Sequence, residues 1–188
     1  MKMTQTTIPD VVIIEPRVFN DDRGWFMESF NELNFHTELQ KLGLSTPRPF
    51  VQDNHSVSKK GVLRGLHYQL PPHGQGKLVR VVQGAALDVA VDIREGSDTF
   101  GKHVAVELNA TNHKMLWIPE GFAHGFVALE DDTHFLYKTT DYYAQECESA
   151  IVWNDPVLNI RWPDLDELII NRKDQNASRL SNKDVGNI

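Results

Sequence analysis

The chain has 188 residues, 40% hydrophobic and 24% charged, with a formal net charge of −7: it is long enough for one domain with its own core and lacks the basic balance that a nucleic-acid-binding surface requires. Its single cysteine, Cys147, excludes an intrachain disulfide framework and any multi-cysteine metal site. The amino terminus MKMTQTTIPDVV has no apolar signal core and no run approaches the roughly 18–20 apolar residues of a membrane span, so no membrane partner is expected and the expected compartment is the cytoplasm.

Along the chain, β-branched and aromatic residues gather in short runs at 11–14, 24–30, 50–57, 62–69, 77–83, 87–93, 103–108, 115–118, 125–129, 135–140 and 150–153, with Gly, Pro, Asn and Asp between them. Many short strands with few long helical patterns predict an all-β sandwich or barrel. After the second run, Asn31 stands where a helix cap belongs, Leu33, Leu39 and Leu42 fall on a helical face, and Gly43 occupies the stop position; these predict one helix covering the barrel. In the run 87–93, Leu87, Val89, Val91 and Ile93 alternate with Asp88, Ala90 and Asp92, the period of a half-buried strand. A second short helical piece is predicted at 165–168. From Asn171 on the chain is polar and weakly patterned, so residues 175–188 read as a C-terminal tail on a single domain spanning 1–188. No internal repeat or linker interrupts it.

Two runs set a histidine inside a glycine-marked β-pattern: GVLRGLHYQ at 61–69 and PEGFAHGF at 119–126. Strict alternation points Arg64 and His67 to opposite faces of a strand. Gly65 between them can mark a bulge that adds one residue and turns both toward one cavity. Pro119, Gly121 and His124 resemble the second signature of the cupin superfamily of jelly-roll barrels. The first signature of a metal-binding cupin has His-x-His, but this chain reads His67-Tyr68-Gln69, and a carboxamide is a poor ligand for transition metals beside imidazole; no metal is expected. Gln52 and Asn54 in FVQDNHS share a strand face and carry amides suited to a sugar or a pyrimidine. Although the protein is acidic overall, Arg23, Arg64, Lys77, Arg80 and Lys173 can make a local cationic pocket, because exposed charges are screened beyond about 8–10 Å. Tyr137, Lys138, Tyr142 and Tyr143 cluster at or just after the run 135–140.

Over residues 8–174 the chain resembles the dTDP-4-dehydrorhamnose 3,5-epimerase family, on DDRGWFMESF, FVQDNHS, GVLRGLHYQ, GKLVRVVQG, DVAVDIR, PEGFAHGF and FLYKTTDYY in that order. The resemblance implies a cupin-like jelly-roll barrel with a few short peripheral helices. It implies an isomerase that inverts C3 and C5 of dTDP-4-dehydro-6-deoxy-α-D-glucose, without a redox cofactor, and a homodimer. By position it implies that His67 is the general base, that Asp174 pairs with it, that Tyr137 is the proton donor and that Lys77 lies near the substrate carbonyl. It further implies that Arg23, Glu28, Gln52, Asn54, Arg64, His124, Glu148 and Lys173 contact the nucleotide sugar, with Phe26 or Tyr143 against the base. NRKDQ departs from the family's usual Ser-x-Lys-Asp wording, and a helix cap is the alternative role for Asp174. Competing readings are an epimerase that acts at C3 or C5 alone, a metal-dependent cupin oxygenase, and a non-catalytic sugar-binding cupin.

Overall fold

The computed structural model describes residues 1–182. Two β-sheets face each other. The first runs β1 (Lys2–Gln5), β2 (Val12–Glu15), β10 (Met115–Ile118), β7 (Lys77–Gln83), β12 (Thr133–Thr139) and β5 (Gln52–Ser58); the second runs β13 (Glu148–Ala150), β6 (Val62–Gln69), β11 (Phe122–Ala128), β8 (Ala85–Asp92) and β9 (His103–Asn109). β14 (Ile169–Ile170) adds to β6 in parallel, and β3 (Val18–Asp21) and β4 (Gly24–Met27) form a separate hairpin. This is the all-β, cupin-like jelly roll that the sequence predicts, with short helices at its periphery. Val79, Val81, Leu116, Ile118 and Phe135 from the first sheet meet Ala86, Ala90, Val104, Leu108, Phe122 and Phe126 from the second, closing the core between them. Burial of each large side chain there contributes about 1.5–3 kcal/mol.

The helix α1 (Glu32–Lys41) forms where its cap and stop signals stand. Asn31 Oδ1 accepts from the Asn34 N–H at 3.1 Å. At the other end the Gly43 N–H donates to Gln40 O and the Leu44 N–H to Leu39 O, the paired bonds of a glycine-terminated helix. Its buried face is Phe35 and Leu39, four residues apart, laid over Val12, Ile14, Leu78, Met115 and Trp117 on the outside of the first sheet. Leu33 is 76% exposed and does not belong to that face.

Other expectations are corrected. Residues 165–168 form no helix: the backbone there leads into β14, where the Ile169 N–H donates to Gly61 O at 2.8 Å. The strand predicted from 24 ends at Met27, and the one predicted at 150–153 ends at Ala150. The tail is not loose over 175–182. Leu180 is buried against Ile151 and Leu158, its N–H donates to Asp155 Oδ2 at 2.7 Å, and the Val152 N–H donates to Ser178 O. Residues 183–188 of that predicted tail lie outside the described residues.

β8 departs most from its predicted pattern, because both of its faces are covered. Val89, Val91 and Ile93 pack under the C-terminal segment with Leu66, Ile151 and Leu158, while Asp88 and Asp92 point into the barrel and are fully buried. Asp92 is satisfied by Arg94, Ser97 and Thr99, and Arg94 also reaches Asp10. Asp88 serves the site described next.

Candidate active site

His67 on β6 lies opposite His124 on β11, whereas Arg64 lies opposite Phe126. Three steps on β6 therefore match two on β11, so β6 carries one extra residue, and the bulge turns Arg64 and His67 to the same, inward face. Gly65 sits in the bulge with φ +128°, and a Cβ there would lie 2.5 Å from Gly125 Cα and 2.8 Å from His124 O. Only glycine fits that approach.

The inward faces enclose a cavity of about 250 Å³, lined from the second sheet by Arg64, His67, Gln69, His124 and Phe126 and from the first by Ser56, Lys77, Phe135 and Tyr137. Phe126 and Phe135 stack across the gap, with ring centroids 4.0 Å apart and planes 3° from parallel. His67 and Tyr137 thus project from opposite walls.

His67 Nε2 pairs with Asp174 Oδ1 at 2.7 Å, and Asp174 Oδ2 accepts from the Gly65 N–H at 3.1 Å. Asp174 belongs to the helix α2 (Arg172–Gln175), whose cap is Asn171, accepting from the Asp174 N–H at 2.8 Å. The capping role is therefore filled by Asn171, and the buried carboxylate is left for His67. Burial raises the Asp174 pKa, but the hydrogen bond and charge of His67, the Gly65 N–H and Lys173 outweigh it and hold the carboxyl below its usual value. An ionised carboxylate on one ring nitrogen orients the imidazole and leaves Nδ1 as the nitrogen free to take a proton.

A second pair lies deeper. His124 Nε2 meets Asp88 Oδ1 at 2.6 Å, both groups buried. Lys77, 7% exposed, donates from Nζ to the His67 carbonyl at 3.2 Å. Burial pulls its pKa down to about 8, against the opposing charges of Asp88 and Glu148. Burial also raises the Tyr137 phenol; Arg64 opposes that rise and Glu148 adds to it. The cavity wall therefore offers an ammonium close to its titration range and a phenol that stays protonated at neutral pH.

At the cavity mouth, the Tyr143 hydroxyl donates to Glu148 Oε2 at 2.9 Å, and Lys173 pairs with the same carboxylate from outside. Burial raises the Glu148 pKa, but the hydrogen bonds from Lys173 and Tyr143 bring it below its usual value. Gln52 and Asn54 share the inward face of β5, with Asn54 directly opposite Tyr137 in the ladder. They lie outside the ring lining the cavity. Gln52 Nε2 donates to Asn54 Oδ1, and Gln52 Oε1 accepts from the Tyr143 N–H.

The structure brings His67, Asp174, Lys77, Tyr137, Arg64, His124, Tyr143 and Glu148 together and leaves Arg23, Phe26 and Glu28 apart. Arg23, at the turn of the β3–β4 hairpin, pairs with Asp21, because a side chain two residues away is its nearest counter-ion. Phe26 is 69% exposed, and Glu28 accepts from Asn31 and Asn34 at the start of α1; both line a separate cleft. Asp88 is the buried partner of His124 that the sequence alone does not point to: its alternation reads only as the period of a half-buried strand.

Residues 5–182 match the family model described as dTDP-4-dehydrorhamnose 3,5-epimerase. A dTDP-4-dehydrorhamnose 3,5-epimerase of Shigella flexneri is 53% identical over 184 residues, 98% of each chain. Among solved structures, the dTDP-6-deoxy-D-glucose-3,5-epimerase of Legionella pneumophila in complex with dTDP-4-keto-L-rhamnose superposes with a TM-score of 0.91 at 47% identity, over 97% of this chain and 94% of that one. ChmJ, a 3'-monoepimerase of Streptomyces bikiniensis in complex with dTDP-quinovose, matches with a TM-score of 0.86 at 36% identity, over 95% and 88%.

Proposed function

The chain belongs to the dTDP-4-dehydrorhamnose 3,5-epimerase family, and we propose that His67 is the base of its reaction, Tyr137 the acid, and Lys77 the group that steadies the enolate. It is an isomerase that inverts C3 and C5 of dTDP-4-dehydro-6-deoxy-α-D-glucose to give dTDP-4-dehydro-β-L-rhamnose. C3 and C5 both flank the C4 ketone, so removal of either proton places the developing charge on one oxygen. A single ammonium at that oxygen therefore serves both steps. The imidazole takes the proton, and Asp174 stabilises the imidazolium that forms. Inversion then requires a proton from the other face of the sugar, since return from His67 would restore the starting configuration.

The observation that carries this reading is the placement of the half-buried His67, backed by the buried Asp174 of α2, on one sheet and of Tyr137 on the sheet facing it. Arg64 and Lys173 are the proposed diphosphate contacts, with Glu148 and Tyr143 at the mouth. His124, backed by Asp88, is proposed to share the enolate oxygen with Lys77. Gln52 and Asn54 sit beside the mouth for the base or sugar. Arg23 and Phe26 on the β3–β4 hairpin and Glu28 just after it do not line this cavity, and the hairpin exposes Phe19, Trp25 and Phe26; as substrate contacts the three fit the cavity of a second copy, which is the form in which a homodimer is proposed. Among the described residues no helix is long and apolar enough to cross a membrane, and the cytoplasm is the proposed compartment.

The test is substrate incubated in deuterated water with the parent and with His67→Ala. The parent should incorporate deuterium at C3 and C5, and the variant should incorporate it at neither while still binding dTDP. Near-parent exchange at either carbon in the variant would defeat the single-base assignment.

A further inference from the structure

Gln69 occupies the position at which a metal-binding cupin carries its second histidine, and here its carboxamide is spent on the chain. It is 6% exposed. Its Oε1 accepts from the Ala144 N–H at 2.8 Å, and its Nε2 donates to the carbonyls of Tyr142 at 3.1 Å and His73 at 2.6 Å. The groups on either side of Tyr143 in the chain, the carbonyl before it and the amide after it, are thus held by one side chain. Gln69 also stands directly opposite Glu148 in the β6–β13 ladder, and Glu148 is where the Tyr143 hydroxyl is anchored. The segment so held joins β12 to a 3-10 turn and has no ladder of its own.

We propose that Gln69 is a positioning residue for substrate binding, which holds the 142–144 segment so that Tyr143 stands at the cavity mouth. This inference rests on the reading of Tyr143 as a substrate contact. The chemistry at residue 69 is narrow: one acceptor and two donors must converge from one planar group. Glutamate lacks the donors, and imidazole offers one donor and one acceptor, on different edges of the ring. Buried carbonyls and amides left without their partners favour other loop conformations. The clamp acts on binding and not on the reacting atoms, so its loss should appear in KM.

The experiment is a double-mutant cycle with Gln69→Met, which removes all three bonds without adding charge, Gln69→Glu as the second variant, and Tyr143→Ala. KM and kcat for the 4-keto sugar and the binding of dTDP are measured for each single and combined variant. Either substitution at 69 should raise KM by about tenfold or more, keep kcat within about threefold and leave the pH profile of kcat unchanged. In the Tyr143→Ala background the same substitution should change KM by less than about twofold. Equal effects in the two backgrounds, or a loss in kcat with KM unchanged, would overturn the inference. Tyr143→Ala at parent KM would instead remove the reading on which it rests.

Discussion

Replacing Lys77 by methionine should make the protein more stable and less active at the same pH. The ammonium is buried and its pKa falls from 10.5 to about 8, so at about 1.4 kcal/mol per pKa unit, holding it charged inside the barrel costs about 3 kcal/mol. Methionine fills nearly the same volume without charge. It forfeits the bond from Nζ to the His67 carbonyl, a loss of about 1 kcal/mol. The net expectation at pH 7 is a gain of about 2 kcal/mol. The pH dependence follows from which state holds the proton. Below pH 8 both folded and unfolded chains carry a charged Lys77 and the penalty is complete. Between about 8 and 10.5 the unfolded chain still binds the proton while the folded one has released it, so the parent gains stability as the pH rises. Urea titrations at pH 7 and pH 10.5 should therefore find the variant ahead at the first and level with or behind the parent at the second. Turnover should fall about 10²–10³-fold, the loss expected when one donor to a developing oxyanion is removed. A variant less stable than the parent at pH 7 would refute the account of the buried charge. One that retains a third or more of kcat would refute the role at the enolate.

Two further substitutions test other parts of the site and its frame. Tyr137→Phe removes one hydroxyl and keeps the ring, so deuterium exchange catalysed by His67 should persist while doubly inverted product falls, most severely at C5; formation of that product at the parent rate would show that Tyr137 is not the acid. Asp92→Asn should lower stability at neutral pH by about 2 kcal/mol, because the buried carboxylate's pKa is held at about 2 against an ordinary 3.8 by Arg94, Ser97 and Thr99 in spite of its burial. That contribution is complete above pH 3.8 and is lost as the pH falls through 2, so the gap between parent and variant in denaturation titrations should close over that range, with kcat per folded molecule unchanged at neutral pH.

The strands and the first helix were legible because their signals are local. The run 77–83 is the observed β7, and α1 is bounded by the side-chain oxygen of Asn31 and by Gly43, whose φ of +75° suits a residue without a Cβ. The helix face was misread at Leu33 because Phe35 and Leu39, four apart, bury against the sheet instead. Where a helical piece is expected at 165–168 the chain instead leads into β14, which pairs with β6 at Val62 and Leu63, and that pairing is invisible without the sheet. The site divides in the same way. His67, Tyr137 and Lys77 could be placed on strands from their own runs, but the contact between His67 and Asp174 joins residues 107 positions apart through an irregular C-terminal segment and was legible only through the family resemblance.

β8 shows why alternation alone under-reads such a barrel. A period of two says that a strand has two unlike faces, and assigning the polar one to water assumes that only one sheet face is covered. Here the C-terminal segment covers the outer face of β8, so the apolar stripe is satisfied there and the acidic stripe must turn inward. A buried carboxylate is tolerable only with a partner, and the two on β8 find different ones: Asp92 takes the local Arg94, Ser97 and Thr99, whereas Asp88 takes His124 and lends its charge to Lys77. The pairing of Asp88 with His124 sets a carboxylate whose charge opposes the fall that burial imposes on the Lys77 pKa, which suits Lys77 to the role proposed for it at the enolate.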